Sequence, residues 1–150
     1  VRARALEAIG ASDRPWVRQA IIQAYQSEAP RLKVSALHAM GRNCQPRWLP
    51  LLIRELTNED PEIRYEVALA LGSVADTKAV AHLAPLLDDF DPEVKQAAIA
   101  ALGQIGGGEA KAMLRSLMRD SSPGIQEAAA AALAEADFAG DPFPIEHGSP

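Results

Sequence analysis

DPEIRYEVALALG at residues 60–72 and DPEVKQAAIAALG at residues 91–103 are two copies of one phrase, set 31 residues apart. Each opens with Asp-Pro-Glu, continues with an aliphatic–basic pair (Ile63-Arg64, Val94-Lys95) and closes on Ala-Leu-Gly. The same step extends outward in both directions. Gly10, Gly41, Gly72 and Gly103 share one phase, and Ala134 takes the next place. Pro30, Pro61, Pro92 and Pro123 hold a second phase; Val1, Leu32, Ile63, Val94 and Ile125 hold a third. Three residue types in register over the chain mark a stack of like supersecondary units.

Local chemistry gives the content of a unit. Over Lys78–Leu87, apolar Ala79, Leu83, Leu86 and Leu87 have helical spacing. A polar turn through Asp88, Asp89, Phe90 and Asp91 follows. Asp91 stands where an N-cap belongs, and Pro92 takes the first helical position, where a missing N–H costs nothing. Glu93 adds negative charge at the helix N-terminus. The second helix, Pro92–Ile105, turns Val94, Ala98, Ile99, Ala101, Leu102 and Ile105 inward, and Gly106 to Gly108 form a turn. Asp60-Pro61, Ser122-Pro123 and, without a good cap, Ala29-Pro30 open the other second helices. First helices are expected near Arg14–Gln26, Pro46–Leu56, Lys78–Leu87 and Glu109–Met118. Pro85 should bend the third of these, because it removes a backbone hydrogen bond. Within a helix a Gly costs about 1 kcal/mol relative to Ala. The phased glycines therefore predict neighbouring helices that cross too closely for a Cβ. Ala39, Ala70, Ala101 and Ala132, two positions earlier in each unit, agree with a tight crossing.

The expected architecture is all-α: a right-handed α-solenoid of two-helix units of about 31 residues. Residues 1–12 read as half a repeat, four units run on to residue 136, and 137–150 read as a flexible tail containing Gly140, Pro142, Pro144, Gly148 and Pro150. The chain opens inside a second helix, so it is expected to be a piece of a longer repeat protein, with Ala5, Leu6 and Ile9 lacking a neighbour on one side.

Composition narrows the function classes. Apolar residues make up 48% of the chain and aromatics 5%, a balance that favours close-packed helices. No apolar run reaches the roughly 20 residues of a membrane span. The single Cys44 excludes an internal disulfide framework and fits a reducing, cytoplasmic location. Net charge is -5, unevenly spread: residues 1–54 hold nine basic and three acidic side chains, and the remainder six basic and seventeen acidic. Ends of opposite sign predict a weak, salt-sensitive head-to-tail self-association.

The two phrases, with looser copies Val-Arg…Ala-Ile-Gly (1–10) and Leu-Lys…Ala-Met-Gly (32–41), resemble the HEAT-like repeats of the phycobilisome-lyase type. The last copy departs, with Gln126 for the basic residue and Ala134 for Gly. The resemblance implies a ladder of ion pairs between units, with Asn58, Asp89 and Asp120 matched to Lys33, Arg64 and Lys95. It is informative about fold and says little about function, since function lives in sites rather than scaffolds. An enzyme-associated role, as in a bilin-lyase subunit, is the alternative that it raises.

Candidate chemistry is sparse. His82 shares its phase with Ala20, Leu51 and Met113, which predicts a packed or partly buried histidine; His38 is placed on the outward face of a second helix, and His147 in the tail. No two histidines have metal-ligand spacing, and no His-Glu pair of the iron-binding HEAT hydroxylases occurs. Cys44 lies near Arg42 and Arg47 but has no nameable base, and the Gly106–Gly108 run lacks the Lys-Ser/Thr of a phosphate loop. No catalytic residue, metal or cofactor is implied. Nucleic-acid binding needs a clustered basic surface. Here Arg14, Arg18, Arg47 and Arg54 fall on first helices of an acidic chain, which argues against it.

What remains is a surface. In two-helix solenoids the second helices line the concave side. Their outward phases place Val34, His38, Tyr65 and Leu69 side by side on consecutive units, with Gln96 next in line and Arg31, Ser35, Glu62 and Glu66 as a rim. An apolar, aromatic patch with a charged rim predicts a site for a protein or peptide partner on a non-enzymatic scaffold.

Overall fold

The computed structural model describes residues 1–140. Its helices run α1 Arg2–Ile9, α2 Pro15–Tyr25, α3 Pro30–Asn43, α4 Leu49–Glu55, α5 Pro61–Val74, α6 Val80–Leu83, α7 Pro92–Ile105, α8 Gly107–Leu117 and α9 Pro123–Gly140. Short 3-10 segments, Pro46–Trp48 before α4 and Thr77–Ala79 and Ala84–Asp88 around α6, complete the first-helix layer. No strand occurs among the described residues. The expected all-α solenoid is the observed fold: α1, α3, α5, α7 and α9 pack in sequence as one layer, and α2, α4, α6 and α8 back them.

The helix starts follow their caps. Asp60 accepts from Glu62 N at 2.9 Å, and Asp91 accepts from Glu93 N at 2.8 Å and Val94 N at 3.2 Å. Ala29 has no capping side chain; Ser27 Oγ accepts from Ala29 N instead. The ends of α3, α5 and α7 share a phase too. Cys44 (φ 53°), Ala75 (φ 56°) and Gly106 (φ 67°) all take positive φ, so two of these sites carry a side chain where glycine is favoured.

The glycine series is the seam of the stack. A Cβ on Gly10 would lie 2.9 Å from Ala39 Cα, on Gly41 2.9 Å from Ala70 Cα, on Gly72 3.0 Å from Ala101 Cα and on Gly103 2.9 Å from Ala132 Cα. Each glycine thus meets the alanine of the following unit, as the expected close crossing requires. Ala134, in the fifth place, is exposed and has no following second helix against it among the described residues. Buried Leu, Ile, Val and Ala side chains, among them Ile21, Leu37, Leu52, Leu71, Leu83, Leu102 and Leu114, fill the space between the two layers.

Several expectations are corrected. The turn is shorter than expected: Gly106 (φ 67°) and Gly107 (φ 85°) turn the chain, and α8 already begins at Gly107 and includes Gly108. The bend at Pro85 is a change of helix type: α6 is a single turn that passes into a 3-10 segment. At 3.0 residues per turn the phase slips there, and His82, expected to pack, is exposed. Leu6, expected to lack a neighbour on one side, is 5% exposed, whereas Ala5 is exposed. The last helix extends through Gly140, so the first four residues of the expected tail are helical. The rest of that tail, including His147, lies outside the described residues.

The ladder forms one of its three expected rungs. Arg64 grips Asp89 with Nε–Oδ2 at 2.8 Å and Nη2–Oδ1 at 2.9 Å, while Nη1 donates to the Asn58 and Glu59 carbonyls. Lys33 pairs at 3.0 Å with Glu55 rather than approaching uncharged Asn58. Glu55 wins because it is preset: Tyr25 OH donates to it at 2.5 Å and Asn58 Nδ2 at 2.8 Å. Lys95 and Asp120 form no ion pair among the described residues. Gln126, in the position of Arg64, donates to the Asp120 carbonyl at 2.7 Å, so it holds its own turn and gives up the forward contact.

Candidate functional site

The outward side of the second-helix layer carries a chain of hollows. The first, about 790 Å³ between α1 and α3, is bordered by Arg2, Arg4, Glu7, Arg31, Val34 and Glu62. The second, about 420 Å³ between α5 and α7, is bordered by Pro61, Glu62, Tyr65, Glu66, Asp91 and Glu93. Glu62 borders both, so the two meet at that side chain. A third, about 500 Å³ between α7 and α9, is bordered by Gln96, Ala100, Glu127, Ala131 and Glu135 among others.

The seven residues singled out from sequence fall into three groups. Arg31, Glu62 and Gln96 are exposed and line hollows. Val34 and Tyr65 also line hollows but are half-buried and packed on the core. Leu69, likewise half-buried, and exposed His38 border none of the three hollows; His38 Nδ1 stands 3.5 Å from Glu66 Oε2. The apolar members are thus shared between the groove and the seams beneath it. Ser35, expected on the rim, is buried and donates to Glu7 Oε1 at 2.8 Å. The reason is the backward reach of each unit: Ser35 and Glu66 face Glu7 and His38 of the unit before.

Sequence reading placed Glu62 and Glu66 on the rim but missed the acidic cluster that they form with Glu93. Glu62 and Glu66 are four apart on one helix face, and Glu93 opens the next helix, a spacing that was legible. Burial pushes the Glu66 carboxyl above its usual range; His38 pulls it down, while Glu62 and Glu7 push it up again. Asp89 shows the opposite outcome: its hydrogen bonds from Arg64 outweigh burial and hold it low. Also missed was the polar cluster in the first-helix layer, where Arg54 Nη2 donates to Tyr25 OH at 2.9 Å and Lys33 lies 5.3 Å from the Tyr25 ring centre. Burial alone would raise the Glu55 carboxyl, but hydrogen bonds from Tyr25, Asn58 and Lys33 hold it below its usual value. Nothing in the repeat pattern announces this group, since Tyr25 and Glu55 do not recur in phase.

Cys44 is exposed, and its thiol donates to the Gly41 carbonyl at 3.0 Å. No His, Cys, Asp and Glu group capable of holding a metal occurs among the described residues. No described helix is long and apolar enough to cross a membrane.

Comparison with known proteins places this architecture. The chain matches the HEAT repeats family over residues 19–89 and 82–142; it belongs to that family. No curated protein matches it. Among solved structures it is similar to an engineered protein (TM-score 0.65, 23% identity, covering 90% of this chain and 71% of that one). It is similar also to a designed armadillo repeat protein in complex with the peptide (KR)4 (TM-score 0.65, 18% identity, 89% and 73% covered). A second designed armadillo repeat protein aligns with TM-score 0.60 at 19% identity, with 89% and 74% covered. At these identities the likeness concerns the fold alone, a repeat solenoid.

Proposed function

We propose that this chain is a non-enzymatic scaffold that grips an extended segment of a protein partner along its second-helix face. The observation that carries the reading is the row of hollows bordered by Val34, Tyr65 and Gln96 on three successive second helices, with Arg31 and Glu62 on the rim. The Gly–Ala seams hold the second helices in close contact, and in a solenoid the layer of closer spacing lies inside the curve. A concave strip with apolar footholds and charged edges suits a segment that lies across several units. A designed armadillo repeat protein of similar fold holds a peptide, which supports the same use here.

The test is selection of peptides from a random library on the immobilised chain, followed by amide chemical-shift mapping of the selected sequences. The expected shifts cluster at Val34, His38, Tyr65, Leu69 and Gln96. Shifts confined to the opposite layer, around Trp16 and His82, or no enrichment at all, would refute the reading. Substituting Tyr65 and Leu69 is a poorer probe, because both pack on the core and their loss would also lower stability.

A further inference from the structure

The groove carries both signs of charge in a fixed order, and that order points to the chemistry of its occupant. Arg2, Arg4 and Arg31 border the first hollow, where Glu7 is engaged by Ser35 and Glu62 stands at the far edge; Glu62, Glu66, Asp91 and Glu93 border the second, which holds no basic side chain. Arg2, Arg4, Arg31, Glu62 and Glu93 form no ion pair among the described residues. Charges of opposite sign along one groove, left unpaired with one another, are arranged for a ligand that brings the complementary pattern.

The second hollow also holds a half-buried carboxylate with a single histidine to offset it. The Glu66 side chain is 18% exposed, and its one basic neighbour, His38, is 3.5 Å away. Elsewhere in this chain buried carboxylates are fully served: Asp89 by a two-point grip from Arg64, Glu55 by Tyr25, Asn58 and Lys33. A cationic side chain entering between Glu62, Glu66 and Glu93 would supply what Glu66 lacks, with its methylene stem laid along the Tyr65 ring.

Spacing sets the reach. The first hollow lies between α1 and α3 and the second between α5 and α7, two helix steps apart. At about 8–10 Å per step this is roughly 16–20 Å, or about five to six residues of extended chain. We propose that the groove recognises an extended peptide segment bearing one Asp or Glu and one Lys or Arg about five to six residues apart, the carboxylate at Arg2, Arg4 and Arg31 and the cation at Glu62, Glu66 and Glu93. The inference rests on the second-helix face being the binding face.

Fluorescence anisotropy of labelled synthetic peptides on the whole chain tests it. The set comprises Asp-then-Lys and Lys-then-Asp peptides at this spacing, with all-basic, all-acidic and uncharged peptides of equal length. The expected result is that one of the two mixed orders binds about tenfold more tightly than every other peptide and weakens with added salt. The paired variant Arg31→Glu, Glu93→Arg, at two exposed positions, should shift preference to the opposite order, with circular dichroism confirming the fold. An all-basic or all-acidic peptide that binds as tightly as the mixed ones overturns the charge order but leaves peptide binding standing. Absence of binding by every peptide, the uncharged one included, overturns the proposal and the groove reading together.

Discussion

Gly41→Ala places one methyl group in one of the close Gly–Ala seams of the stack. The added Cβ would stand 2.9 Å from Ala70 Cα and 3.1 Å from Ala70 Cβ, whereas apolar carbons settle at about 3.5–4.0 Å. Neither opposing atom is the end of a flexible side chain, so α3 and α5 must part by roughly 0.5–1 Å, which weakens each dispersion contact across the seam by about a quarter to a half. Over-packing of this kind costs about 1–3 kcal/mol. Against it, Ala in place of Gly inside a helix gains about 1 kcal/mol. Because helix backbone lies on both sides of the clash, the upper part of the range applies, and the net loss is about 2 kcal/mol. For a chain of this size that is a fall of roughly 4–8 °C in Tm. Gly108→Ala is the control: its Cβ would meet nothing within 4 Å, and stability should be unchanged or rise by up to about 1 kcal/mol. Urea and thermal melts followed by circular dichroism read both. Equal shifts for the two variants, or a Gly41→Ala protein as stable as the parent, would refute the account of the glycine series.

Three further outcomes follow from named groups. Ala75→Gly relieves a left-handed helix end (φ 56°) and should raise stability by about 0.5–1 kcal/mol; an unchanged or lower urea midpoint would contradict it. Glu55, held below its usual 4.5, contributes stability that is present above its unfolded value and lost as pH falls through its folded one. Melts between pH 7 and pH 3 should therefore show an acid loss that shrinks in Glu55→Gln, and Tyr25→Phe, which removes a hydrogen bond to this carboxylate, should cost about 1.5–3 kcal/mol at neutral pH. Glu66 has the opposite sign. Its carboxyl is raised, so its ionised form opposes folding at neutral pH and the opposition fades as pH falls through the raised folded value. Glu66→Gln should then be at least as stable as the parent at pH 7 and lose that advantage in acid; a large loss at pH 7 would show that the His38 contact outweighs burial.

Much of this molecule was legible because its units repeat. A solenoid buries the same positions in every unit, so Gly10, Gly41, Gly72 and Gly103 announced a close approach before any helix was placed. Asp60 and Asp91 announced their helices for a local reason: a cap acts within three residues of itself. Legibility failed where the repeat is broken. His82 was misread because the first layer around α6 changes helix type, and the Lys33–Asn58 rung because Glu55, absent from the other units, competes for the lysine.

Order along the chain therefore determined the helices, their caps, the phase of the seam and the class of fold, since each depends on neighbours in sequence or on a period that sequence displays directly. The tertiary structure alone decided which charges pair and which stay open in the groove. Arg64 finds Asp89 across 25 residues and Tyr25 finds Glu55 across 30, and whether a carboxylate at such a distance is satisfied depends on side-chain reach and burial at that one seam. The half-burial of Val34, Tyr65 and Leu69 was decided in the same way, because the rotation of each helix in its seam sets how much of a boundary side chain the solvent sees.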